Sequence, residues 1–165
     1  MDIFNSDKLG WGRSKAVRLC IVSALLITAR IGSWAQQATV LSAEQVAAAL
    51  KAIPATPPTN VQVITAWHYG IKVAYLDHRI GPGELHESED RVFYLVDGAG
   101  SICLGGSLTA PRTVGPYELL GDALKDCRSF PLATGAVVSI PRNTPYQLRA
   151  PSSRISFVVV RIKGQ

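Results

Sequence analysis

Seven short runs rich in β-branched and aromatic residues follow one another from Val61 onward: Val61 to Trp67, Ile71 to Leu76, Val92 to Val96, Ser101 to Leu104, Ala136 to Ile140, Tyr146 to Arg149 and Ile155 to Ile162. Glycine and proline clusters separate them, and no long helical period lies between. A chain punctuated in this way does not build alternating β/α units; it points to an all-β sandwich or barrel. The stretch from Gly105 to Ala133 is the weakest part of the pattern. Pro111, Gly115, Pro116 and Gly121 interrupt any period there, so it reads as a long excursion between two halves of a barrel.

Upstream of the strands the grammar differs. Ser42 and Gln45 have the spacing of a capping box, and Val46, Leu50 and Ile53 continue at helical intervals, so a short helix is expected before Pro54. The segment from Pro54 to Asn60 is too rich in proline to prolong it. Earlier still, Arg13, Lys15 and Arg18 precede an uncharged run of eleven residues, Leu19 to Ala29, and then the small-residue site Ser33-Trp34-Ala35. That is the layout of a secretory signal peptide cleaved after Ala35. The run is too short for a membrane span, which takes about 20 residues. The expected organisation is a leader over 1–35, a helix and linker over 36–60, and a β-domain over 61–165, in a periplasmic or secreted protein.

Much of the net charge of +5 belongs to the leader. Its removal leaves 12 basic against 10 acidic residues, or +2, with no basic stripe interleaved with aromatics. Nucleic-acid binding is therefore excluded as the working function, and no stable membrane association is expected after processing. Cys20 lies inside the leader. Cys103 and Cys127 remain as an even pair, compatible in an exported protein with a disulfide or with two unpaired thiols.

Two segments carry a family likeness. Pro82 to Gly98 resembles the first conserved motif of the cupins, and Gly135 to Tyr146 the second; the glycines, the Ile140-Pro141 step and the Thr144-Pro145 turn keep the family's spacing. The resemblance covers residues 61–162 and implies a cupin-type double-stranded β-helix, or jelly-roll barrel, with a short N-terminal helix. It also implies a divalent metal such as iron, manganese, zinc, copper or nickel, held inside the barrel by histidines and a carboxylate or glutamine. Counting back from Gly98, those ligand positions fall on Glu84, His86 and Arg91, and the second motif places Tyr146 at the fourth. Only His86 is a family ligand unchanged. A guanidinium does not give up its proton to coordinate a cation and repels it instead. No cofactor is therefore expected, with a weak metal site on His86 and Glu84 as the alternative. The remaining carboxylates, Glu87, Glu89 and Asp90, read as a solvated acidic loop at the barrel mouth, the alternative being a slip of one or two residues in register that turns them inward to an oxygen-rich site with His86 and Glu84.

Strand alternation gives a second reading of the same residues. If Arg91 points inward, so do Phe93 and Leu95, while Val92, Tyr94 and Val96 face out. A buried guanidinium demands a partner, either Glu84 or an anionic ligand. Glu84, His86, Arg91, Phe93 and Tyr146 are accordingly the candidate ligand-binding residues, suited to a small carboxylate, enol or phenolate. The first functional reading is a binding protein for a small organic, anionic molecule. The second is an enzyme, a lyase, isomerase or oxygenase on a small oxygenated substrate, using a residual metal or acid/base chemistry by the catalytic candidates His86 and Tyr146. A third makes the barrel a homodimer through the outer face that carries Tyr94. His68 is expected to be packed and His78 exposed or packed, outside the site.

Overall fold

The structure is a computed structural model and describes residues 38–57 and 59–164. The expected leader and its cleavage site lie outside the described residues. Helix α1 (Ala43–Lys51) forms where the capping box predicts it: the Ser42 side chain accepts from the Gln45 backbone N–H, and the Gln45 side chain accepts from the Ser42 N–H. Its apolar face, with Val46, Ala49 and Leu50, and then Ile53, packs on Val73 and Tyr75. Tyr75 donates its hydroxyl hydrogen bond to the Pro54 carbonyl at 2.8 Å, which fastens the proline-rich linker to the sheet. Full burial of a side chain such as Ile53 is worth about 2 kcal/mol.

Eleven strands follow among the described residues: β1 (Asn60–Thr65), β2 (Tyr69–Ile80), β3 (Gly83–His86), β4 (Glu89–Leu104), β5 (Ser107–Thr109), β6 (Arg112–Gly115), β7 (Glu118–Gly121), β8 (Ala123–Lys125), β9 (Arg128–Ala133), β10 (Val137–Ile140) and β11 (Tyr146–Lys163). All the pairings are antiparallel. The long β11 joins β2 on one side and β4 on the other, and its first residue, Tyr146, also pairs with Glu84 of β3. β4 pairs further with β9 and β10, and β3 with β7, so the sheet curls around one interior. Phe93, Leu95, Ile102, Leu148, Ile155, Phe157 and Val159 fill that interior.

Three expectations change. The runs from Tyr146 to Arg149 and from Ile155 to Ile162 form one strand that shifts register between Ala150 and Arg154, around Pro151. Proline cannot donate to a ladder, and the shift absorbs it. Gly98 lies opposite with φ +91, and a Cβ there would run into the Arg154 carbonyl. The excursion from Gly105 to Ala133 is not irregular: it holds β5 to β9, short pieces of three to six residues of which β7 and β9 pair with the distant β3 and β4, so no local alternation announces them. The first strand ends at Thr65 rather than Trp67, which is exposed. Cys103 and Cys127 are joined in a disulfide with Cα atoms 5.5 Å apart, so the bridged alternative holds. Among the described residues no helix is long and apolar enough to cross a membrane.

Candidate functional site

The interior face of β4 carries Arg91, Phe93 and Leu95, all buried, while Tyr94 is exposed on the other side, as the two-residue period requires. β3 places Glu84 and His86 on one face, two residues apart, and the turn after Pro141 delivers Tyr146 directly across from Glu84. These four side chains meet inside the barrel. His86 and Arg91 are each 5% exposed and Tyr146 1%.

The contacts form a closed network. Tyr146 donates to Glu84 Oε2 at 2.6 Å and accepts from Arg91 Nη1 at 3.1 Å. Arg91 Nη2 lies 3.1 Å from His86 Nδ1. A guanidinium only donates, so Nδ1 is the acceptor and the imidazole proton resides on Nε2, 3.3 Å from Glu84 Oε2. Arg91 is also 3.6 Å from Glu84 Oε2 and 3.4 Å from Glu89 Oε2. The internal Arg91–Glu84 pair is thus formed. Burial works to raise the Glu84 carboxyl, but hydrogen bonds from His86 and Tyr146 and the charge of Arg91 outweigh it and hold the group below the usual carboxylate range. Burial, followed by the Glu84 charge, pushes the Tyr146 phenol well above its ordinary value.

Two of the acidic residues read as solvated are engaged. Glu89 reaches inward to Arg91, and Asp90 binds Arg142 through the backbone N–H at 2.8 Å and the guanidinium at 3.1 Å. Both belong to β4 rather than to a loop, so ladder geometry aims them. Glu87 is exposed. His68 is exposed rather than packed, and His78 is exposed near Asp77; neither joins the site.

Arg91, Glu84, Phe93 and Tyr146 border a cavity of about 410 Å³, walled by apolar side chains including Leu148 and Phe157. Exposed Pro57, Arg79 and Pro82 mark its open side. His86 is not on this wall. It faces a second, polar chamber of about 160 Å³ with Glu89, Glu118 and Arg161. Between the two lies Lys72 of β2, which lines both. Lys72 and Arg161 are absent from the sequence reading, yet the signal exists. Ala74 and Leu76 set the inward phase of β2, Phe157 and Val159 that of β11, and extending each by two residues reaches Lys72 and Arg161. The Lys72 side chain makes no hydrogen bond or ion pair with any described residue, its backbone being paired in the ladder between β1 and β11. Burial, then the charge of Arg91, lowers its pKa.

The donors do not fit a divalent metal. The Arg91 guanidinium is within 3.6 Å of Glu84, Glu89 and His86, the site's imidazole and nearest carboxylates, its charge repels a cation, and among the described residues no group of three or more His, Cys, Asp or Glu side chains is arranged to hold one.

No protein-family model and no curated protein matches the sequence. Solved structures do. Hydroquinone 1,2-dioxygenase from Sphingomonas sp. TTNP3, with 4-hydroxybenzoate bound, aligns with TM-score 0.50 and 20% identity over 67% of this chain and 69% of that one. A protein from Neisseria meningitidis aligns with TM-score 0.51 and 16% identity over 76% of this chain and all of the other. The Cnp3 cupin domain of Schizosaccharomyces pombe aligns with TM-score 0.50 and 8% identity, covering 69% and 66%. At these identities the likeness speaks to architecture, and with the curled antiparallel sheet it establishes that the chain has the cupin fold.

Proposed function

We propose that the barrel binds a small organic anion, an apolar or aromatic carboxylate or phenolate, in the 410 Å³ cavity. The observation that carries the reading is the charge of the lining. Lys72, Arg79 and Arg91 stand against one carboxylate of the lining, Glu84, and the Lys72 side chain makes no ion pair or hydrogen bond with a described residue. An unpaired, half-buried ammonium over apolar walls is costly unless a guest supplies the negative charge. The volume suits a guest of modest size, and Phe93, Phe157 and Tyr146 offer ring faces and edges for an aromatic one. The dioxygenase of similar fold has 4-hydroxybenzoate bound, a guest of this chemical kind.

The enzymatic reading finds less support. The Tyr146 phenol is held protonated and donates to Glu84, and His86 lies behind the Glu84–Arg91–Tyr146 layer, away from the cavity. Calorimetric titration of the mature chain with benzoate, 4-hydroxybenzoate and the neutral benzamide tests the proposal. The acids bind and the amide does not; Lys72→Met, which leaves the Glu84 network untouched, weakens binding tenfold or more, roughly one charge-assisted hydrogen bond. Equal affinity for acid and amide defeats it. We further infer export to the periplasm or beyond. The Cys103–Cys127 bridge supports this, because such bonds persist in oxidising compartments. Fractionation with N-terminal sequencing of the processed chain, expected to begin near Gln36, is the check.

A further inference from the structure

We propose that Lys72 captures a carbonyl carbon of the guest as a reversible imine, so that the cavity's ligands are oxo acids, small carboxylates bearing an aldehyde or ketone. This rests on the reading of the cavity as an anion site and names the class of anion.

The placement of Lys72 carries the inference. It leaves the sheet on the interior face of β2, where its cross-strand partner is Val159, which in turn pairs with Phe93. It is the one lysine among the described residues that is not exposed; Lys51, Lys125 and Lys163 all face solvent. No acceptor holds it. The charged groups that act on it are Arg91 and Arg161, which disfavour its protonated form, and Glu84 and Glu118, which favour it. Arg79 and Arg91 already supply permanent positive charge to the cavity. Lys72 differs from them in being able to lose its proton, so the side chain that attracts an anion as an ammonium is, in its neutral fraction, a free amine facing that anion. Burial beside a guanidinium moves it in that direction, and a neutral amine with room before it is a nucleophile.

The step balances within the cavity. The Lys72 Nζ lone pair attacks the carbonyl carbon, and the C=O π electrons move to oxygen, which takes a proton as nitrogen releases one. The carbinolamine then expels its hydroxyl as water, with a proton from solvent water at the cavity's open side, the nitrogen lone pair forms the C=N bond, and the resulting iminium gives its N–H proton back to the hydroxide left there. The sum is amine plus carbonyl giving imine plus water, with no oxidant or reductant. Arg91, on the same cavity wall, attracts the carboxylate of the oxo acid and so brings its carbonyl carbon toward the amine.

The mature chain is incubated with glyoxylate, pyruvate or phenylglyoxylate and reduced with cyanoborohydride, and the adduct is located by peptide mass mapping. The reduced adduct is expected at Lys72, on the order of tenfold above Lys51, Lys125 or Lys163, rising with pH as the amine deprotonates. Benzoate suppresses it, and Lys72→Arg, which keeps the charge, removes it. Modification equal at all four lysines, or none at Lys72, overturns the proposal. If benzoate still binds in that case, the anion reading stands and only the imine falls; if benzoate does not bind, both fall.

Discussion

Replacing Tyr146 by Phe removes one oxygen and keeps the ring, so no cavity opens in the core against Phe93. The oxygen is central to the network: it donates to Glu84 at 2.6 Å and accepts from Arg91 at 3.1 Å. Hydrogen bonds to charged partners are worth roughly 1.5–3 kcal/mol each, and the hydroxyl's own desolvation cost is recovered in the variant, so a net loss of about 2 kcal/mol is expected. The loss should depend on pH in a definite sense. Glu84 titrates in the folded state below its unfolded value of about 4.3, so its contribution is full above that value and is lost as pH falls through the folded one. The variant has less to lose. Urea unfolding of both proteins, disulfide intact, should therefore show a gap of about 2 kcal/mol at pH 7 that narrows toward pH 3. A gap under about 0.5 kcal/mol at pH 7, or one unchanged in acid, would refute the assignment of Glu84 as an ionised acceptor for Tyr146.

Arg91→Met strips the partner from Glu84 and Glu89 and should cost about 3–5 kcal/mol, read as a fall in the urea midpoint; a loss under about 1 kcal/mol means the guanidinium pairs with neither. Lys72→Met should stabilise the ligand-free protein by about 1 kcal/mol at pH 7, since an unpaired ammonium is removed from a half-buried site. Because the folded pKa of Lys72 is lowered, that advantage holds below the folded value and fades as pH rises toward the unfolded value of about 10.4; denaturation at pH 7 and pH 10 reads it. Reducing the disulfide should lower stability by about 3.5 kcal/mol for a loop of this length, and an identical midpoint with and without dithiothreitol contradicts a structural role. Ser42→Ala removes the N-cap and should cost about 1 kcal/mol, seen first as faster amide exchange in α1.

The strands with a buried apolar face were legible because their period is written in the residues: Arg91, Phe93 and Leu95 alternate with Val92, Tyr94 and Val96, and their burial follows. The N-terminal helix was legible for the same kind of reason, a cap pair and three apolar residues, Val46, Leu50 and Ile53, at the right intervals. β3 and β5 to β8 were not. Strands of three or four residues cannot display a period, and what holds Glu84 to His86 in place is pairing with Glu118 to Leu120, more than thirty residues away. Of the site, the motif spacing led to Glu84, His86, Arg91 and Tyr146. Glu89 was obscured by lying in an acidic cluster, which suggests solvent, although it is two residues from Arg91 and shares its face. Lys72 and Arg161 break the rule that polar side chains point outward. Only the phase of their apolar neighbours reveals them.

The disulfide makes a covalent ring of residues 103–127, and part of the cavity is built on that ring. Leu120 forms a piece of the cavity wall, while Pro116, Tyr117 and Glu118 border the polar chamber. Tyr117 sits at an exposed turn with φ +62, a natural place for a protease to cut. A cut there leaves two fragments that migrate as one species until a reductant is added. Leu120 and Glu118 remain tied to the barrel both by β7's pairing with β3 and by the sulfur link. Backbone continuity between Gly115 and Tyr117 is then dispensable for keeping the cavity wall in place, and the same turn suits relocated chain ends as long as the sulfur link is intact.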